Sequence, residues 1–216
     1  GTPSWSLETE LRPLQSAAGD KFGWAVALSA DRRTAVVGAS GEASCASGVN
    51  GDAADLYCPN SGAAYVFVAG SAGWSQEAYL KRKTRPIGPV DWRYWERFGW
   101  SVAVSAAGDR VLVGAPYERG CARGVDGPPP DAVSGHYGCN QAGAAFLFQR
   151  QAGAAAGWAH EAYLKASNTD PDHRYDGDLG DWFGYSVALS ADGLTALVSD
   201  PGEDGCSSGI NNATGA

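Results

Sequence analysis

Large and small residues alternate along three stretches of the chain. In the first, Phe22, Trp24, Val26 and Leu28 fall on one side of a two-residue period, opposite Gly23, Ala25 and Ala27. Phe98, Trp100, Val102 and Val104 repeat the pattern, as do Phe183, Tyr185, Val187 and Leu189. A period of two predicts strands, and a large face opposite a small face predicts a sheet buried on both sides. Short polar turns follow at 29–34, 105–110 and 190–195. Second apolar runs come next at 35–37, 111–113 and 196–198, so each pair predicts a hairpin. Third strands are predicted over 63–68 and 144–148. A fourth carries Trp74, Ala78 and Leu80 on one face, and Trp158, Ala162 and Leu164 in its second copy. Residues 5–12 align with this fourth strand, Trp5 matching Trp74 and Arg12 matching Lys81.

The phenylalanines that open the copies stand 76 and 85 residues apart. Repetition at this scale marks stacked units sharing a core. Four antiparallel strands per repeat is the blade of a β-propeller, so the expected class is all-β, with about three blade repeats. Residues 1–216 read as a single repeat region. Within it, 1–21 supply the fourth strand of a preceding blade plus a loop, 22–97 are repeat one, 98–182 repeat two, and 183–216 an incomplete repeat three. Three blades do not close a ring. The expectation is therefore a segment of a larger, seven-bladed propeller, whose open edges invite pairing with other chains.

Three motif strings carry a family resemblance. Phe22-Gly23 leads to Gly38-Ala39-Ser40, Phe98-Gly99 to Gly114-Ala115-Pro116, and Phe183-Gly184 to Ser199-Asp200-Pro201. Gly62-Ala63-Ala64-Tyr65 and Glu77-Ala78-Tyr79-Leu80-Lys81 recur as Gly143-Ala144-Ala145-Phe146 and Glu161-Ala162-Tyr163-Leu164-Lys165. The chain resembles FG-GAP repeat proteins of the microbial and algal secreted type, which are similar to the integrin α-subunit head. The resemblance implies a propeller, usually of seven blades, with extracellular binding or adhesion as its commonest role. It also implies a calcium loop between FG and GAP, but this sequence departs from that pattern. Asp31, Asp109 and Asp192 are single carboxylates in their turns, where calcium takes six to eight oxygens.

Charge and cysteines narrow the setting. A formal net charge of −8 argues against a nucleic-acid partner, which needs a basic stripe. No apolar run reaches membrane-spanning length. Cys45 and Cys58 bracket the long loop of repeat one, and Cys121 and Cys139 bracket the same loop of repeat two. Matched pairs at matched positions read as two loop-closing disulfides, each contributing roughly 3 kcal/mol by loop-closure entropy. Neither pair has CxxC spacing or a histidine cluster to suit a metal. Disulfides place the chain in an oxidising compartment, extracellular or at the cell surface. Cys206 occupies the same place in repeat three with no second cysteine after it, as a free thiol, an intermolecular partner or half of a bridge.

The candidate chemistry is concentrated in loops. Ser101 and Ser186 sit in surroundings faintly like a nucleophile elbow, but Ala25 takes their place in repeat one, and catalysis is not expected there. His136, His160 and His173 share no repeat position, and no recurring acid or nucleophile accompanies them. Asp170, Asp172, Asp176, Asp178 and Asp181 crowd one loop and are the candidate calcium ligands. Asn50, Asp52 and Asp55 make a weaker set. Trp92, Arg93, Tyr94 and Trp95 form the candidate binding loop, since aromatic and arginine side chains dominate recognition hot spots. Asn212 opens a glycosylation sequon. The expected function is a non-enzymatic extracellular binding, adhesion or scaffolding module working through propeller loops on a protein or glycan. The alternatives are a lectin-like glycan binder, an accessory subunit of a large assembly, or the non-catalytic part of a larger secreted enzyme.

Overall fold

The structure, a computed structural model, describes residues 4–83, 96–127, 139, 141–152, 157–169 and 180–203. Ten strands form three antiparallel sheets, with no helix among the described residues. The first sheet runs in the order β1 (Phe22–Leu28), β2 (Thr34–Ala39), β3 (Ala63–Gly70), β4 (Gly73–Leu80). The second follows the same order with β5 (Ser101–Val104), β6 (Arg110–Ala115), β7 (Ala144–Gln151) and β8 (Gly157–Leu164). The third pairs β9 (Val187–Leu189) with β10 (Ala196–Val198). Consecutive four-stranded antiparallel meanders of this kind are consistent with propeller blades.

The turns explain the hairpins. Ser29 N–H donates to the Thr34 carbonyl at 2.9 Å, while Asp31 Oδ1 accepts from Ser29 Oγ and from Arg33 N–H. Ser190, Asp192, Leu194 and Thr195 build the same turn in the third copy. These short side chains bond their own backbone and so stabilise the reversal.

The main core lies between the first two sheets. Val36, Val66, Ala78 and Leu80 meet Phe98, Val111, Val113, Phe146 and Phe148, all essentially buried. Val37, Tyr65, Phe67 and Tyr79 form a second cluster on the other face of the first sheet, capped by Phe22, Leu11 and Trp74.

Glycines at the FG, GAP and GAA positions are explained by the junction between sheets. Phe98 N–H donates to the Ser61 carbonyl and Phe183 N–H to the Ala142 carbonyl, so each FG lies on the preceding GAA backbone. A Cβ on Gly99 (φ +82°) would lie 2.0 Å from the Ala63 carbonyl oxygen, and one on Gly38 would lie 2.0 Å from the Gly99 oxygen. Gly184 meets Ala144 and Gly114 meets Gly184 in the same way. Only a residue without Cβ permits this approach.

Two strand expectations need correction. Residues 5–12 form no strand. They lie beside β4 through side chains, Trp74 Nε1 donating to Glu8 at 3.2 Å, and Leu14 N–H donates to Gln76 Oε1 at 2.9 Å. The alternation in β1 is also broken by a bulge between Phe22 and Ala25, where Gly23 has φ +89°. Phe22 packs on Tyr65 and Phe67, and Trp24 falls in the bulge, 47% exposed. Val26 and Leu28 pair with Val37 and Ala35 on the same face as Phe22 and are 71% and 55% exposed. Gly23 and Trp24 are both extra relative to β2, so the period of two resumes in phase after them and only Trp24 is re-aimed.

Candidate functional site

The residue after each FG is aromatic: Trp24, Trp100 and Tyr185. The bulge turns Trp24 out of the core, and contacts between β1, β5 and β9 bring the three rings into a row. Trp24 and Trp100 have ring centroids 4.8 Å apart, and Trp100 and Tyr185 are 5.5 Å apart. Tyr117 and Trp182 flank the row, Tyr117 lying 5.9 Å from Trp100 and Trp182 lying 6.3 Å from Tyr185. Arg97 lies over both Trp100 and Tyr117, and Lys21 lies over Trp24 at 5.2 Å. Trp24 and Tyr185 remain more than two-fifths exposed. Partly exposed rings edged by cations offer flat apolar area with polar contacts at the margin.

A second recurrent feature lies at the far end of each sheet and is buried. Lys81 follows β4, and its Nζ donates to Glu42 Oε2 at 2.7 Å, Ser44 O at 2.9 Å and Ser61 Oγ at 2.8 Å. Lys165 follows β8 and donates to Glu118 Oε2 at 3.1 Å and to the Gly143 carbonyl at 2.5 Å. All four charged side chains are at most 5% exposed. Burial pulls the Lys81 ammonium below its ordinary pKa, with Glu42 opposing. Burial would raise Glu118, but Lys165, Arg82 and the Gly120 N–H outweigh it and hold the carboxyl low. Glu96 is raised by burial, although Arg82 pairs with it. Such pairs are costly to break once formed, since the survivor is stranded in a dry site.

The equivalent place in the third sheet is acidic. Oxygens of Asp181, Asp200 and Glu203 lie within 4.8 Å of one another. Burial, followed by repulsion from Asp181 and Glu203, raises Asp200 to about 7. Of the acidic loop singled out in the sequence, Asp181 is described and buried here, whereas Asp170, Asp172, Asp176 and Asp178 lie outside the described residues. Asp200 and Glu203 were missed because they follow the degenerate GAP motif. Their alignment with Ala39 and Glu42 was the available signal.

The other candidates divide similarly. Cys45 pairs with Cys58 and Cys121 with Cys139, with Cα atoms 5.0 and 5.1 Å apart. Cys206 and the loop residues Trp92, Arg93, Tyr94 and Trp95 lie outside the described residues. The calcium loop of the resemblance does not fit, because Asp31 and Asp192 serve their own turns. The Ser29 hydroxyl and Arg33 N–H hold Asp31 below the usual carboxylate range, and Ser190 and the Leu194 N–H do the same for Asp192. His160, which replaces Gln76 and reads from the sequence as a surface or edge residue, packs beside Phe146 and Phe148, and burial pushes its pKa down.

Stacked four-stranded antiparallel sheets with backbone-to-backbone glycine junctions define an all-β repeat protein of the propeller-blade type. Residues 5–67 match the family model described as FG-GAP repeat, so the chain carries this repeat. The match begins at Trp5, taking in the segment beside β4. FG-GAP repeats are commonly binding or adhesion modules and typically non-catalytic. No curated protein matches the chain. The two disulfides fit an oxidising location, and no helix among the described residues is long and apolar enough to cross a membrane.

Proposed function

We propose that this chain is a non-enzymatic, extracellular binding module whose recognition surface is the aromatic row Trp24–Trp100–Tyr185. The row itself carries the reading: three rings from three repeats, two of them substantially exposed, with Lys21 and Arg97 against their faces. Flat rings beside cations suit the apolar face of a pyranose with its hydroxyls and acidic substituents, so a glycan is the favoured partner. Residues 92–95 precede Glu96 directly in the chain, and their Trp, Arg and Tyr side chains extend the same chemistry.

A glycan microarray probed with the wild-type chain and with Trp24→Ala tests this. Saturable binding to a subset of glycans is expected, weakened about tenfold or more in Trp24→Ala, as for a hot-spot aromatic. Trp92→Ala and Trp95→Ala report whether the neighbouring loop contributes. Absence of glycan binding, or binding indifferent to Trp24, contradicts the reading.

A further inference from the structure

The carboxylates two residues before FG are buried in both of the first two repeats, but their charge is balanced in one alone. Asp20 precedes Phe22 as Glu96 precedes Phe98. Their backbones are held alike, Gly41 N–H donating to Asp20 O and Tyr117 N–H to Glu96 O. Asp20 is 7% exposed and Glu96 5%. In repeat two, Glu96 pairs with Arg82 and neighbouring Glu118 pairs with Lys165, so two carboxylates meet two cations. In repeat one, Lys81 serves Glu42, and Pro13 stands at the position of Arg82 when Trp5 is matched to Trp74. The nearby cations are engaged elsewhere. Arg12 pairs with Glu10 at the surface, and Lys21 holds its ammonium over Trp24. Asp20 Oδ2 accepts from Ala17 N–H at 2.6 Å, and Oδ1 has no partner among the described residues.

A cavity of about 290 Å³ lies against this carboxylate. Asp20, Glu42 and Tyr65 line it on one side, and Ala53, Ala54 and Leu56 line it from the loop that the Cys45–Cys58 bridge closes. Tyr65 is 4% exposed, yet its hydroxyl bonds no group among the described residues, whereas Tyr79 bonds Ser44 and Tyr163 bonds Glu118. Burial raises the Tyr65 phenol, and Glu42 and Asp20 raise it further, so it stays a neutral hydroxyl able to accept an N–H. Repeat two carries Phe146 at this position. The added hydroxyl and the missing guanidinium therefore coincide in repeat one, beside a buried carboxylate that is costly to leave uncompensated.

We propose that this cavity binds a small organic cation of the guanidinium type, whose N–H groups donate to the Asp20 carboxylate and the Tyr65 hydroxyl oxygen. It stands in for the Arg82 side chain of the next junction. A planar guanidinium presents its donors in a fixed fork, so one ligand reaches both acceptors. The methyl groups of Ala53, Ala54 and Leu56 suit a short alkyl substituent. Calcium fits poorly, since it takes six to eight oxygens and both Glu42 oxygens are already used, by Ser44 N–H and by Lys81.

The test titrates the 216-residue chain with methylguanidinium chloride, followed by ligand-observed saturation-transfer NMR. Saturable binding is expected, weakened about tenfold or more by Asp20→Asn, as when one partner of a buried charge pair is removed. Tyr65→Phe places in repeat one the ring that repeat two already carries, so it should keep the fold and still weaken binding several-fold. Asp52→Asn, an exposed carboxylate on the same loop, should leave binding unchanged. Near-UV circular dichroism checks that each variant keeps the parent fold. Absence of saturable binding overturns the proposal, as does binding indifferent to Asp20 and Tyr65. Equal weakening by Asp52→Asn also overturns it, reducing the effect to general attraction by an acidic chain. Calcium chloride is the last arm, and Asp20-dependent displacement of methylguanidinium by calcium would make the cavity a divalent-cation site instead.

Discussion

The ends of the first two sheets and the end of the third are built from the same repeat positions, yet their electrostatics are opposite. In the former, a lysine ammonium fills a dry site around Glu42 or Glu118. In the latter, three carboxylates converge and Asp200 is raised to about 7. The difference shows that the glutamate after GAP is half of an interaction whose other half arrives on the fourth strand. A repeat motif of this kind fixes where a charge is buried. The later strand decides whether that burial stabilises the blade.

The comparison breaks most visibly if the ammonium is removed. Lys81→Met leaves Glu42 buried and uncompensated, and should cost about 3–5 kcal/mol of stability in urea unfolding. The glycine junctions give the next largest effect. Gly99→Ala drives a Cβ into the Ala63 carbonyl and should cost about 3 kcal/mol. Gly23→Ala at the same motif position meets nothing within 4 Å, so only the positive φ is charged against it, about 1 kcal/mol. Equal losses at the two sites would contradict the junction argument. The smallest effect is a pH dependence. Asp200 has a raised folded pKa, so between about 4 and about 7 the native state holds the extra proton and stability falls as pH rises. Asp200→Asn should remove that part of the slope, which comparison of melting temperatures at pH 5 and pH 8 will detect.

The sequence made the blade plan readable because its signals were local and repeated. Period-two runs, turn residues and the F-G and G-A-A strings placed all ten strands to within a few residues. The matched cysteine pairs likewise anticipated Cys45–Cys58 and Cys121–Cys139. What it misjudged was long-range. Alternation assigned Trp24 to the face of Phe22, but with the bulge at Gly23, Phe22 packs on Tyr65 and Phe67 whereas Trp24 packs on Trp100 of the next repeat. Residues 5–12 carry the pattern of a fourth strand, yet strand pairing depends on a neighbouring edge that no local pattern encodes. Lys81 and Lys165 were legible as the last letters of the Glu-Ala-Tyr-Leu-Lys strings but not as buried groups, because burial of a lysine is rare and its socket is assembled from three distant segments. The aromatic row was visible as letters, Trp24, Trp100 and Tyr185, but as a surface only once the sheets were stacked.

The account depends most on the claim that a buried ammonium and the glutamate after GAP act as one unit. A double-mutant cycle in urea on Lys81→Met, Glu42→Gln and the double variant measures that unit directly. The account predicts a coupling of about 2–3 kcal/mol, with the double variant more stable than Lys81→Met alone. Additive losses, with coupling under about 0.5 kcal/mol, would contradict it.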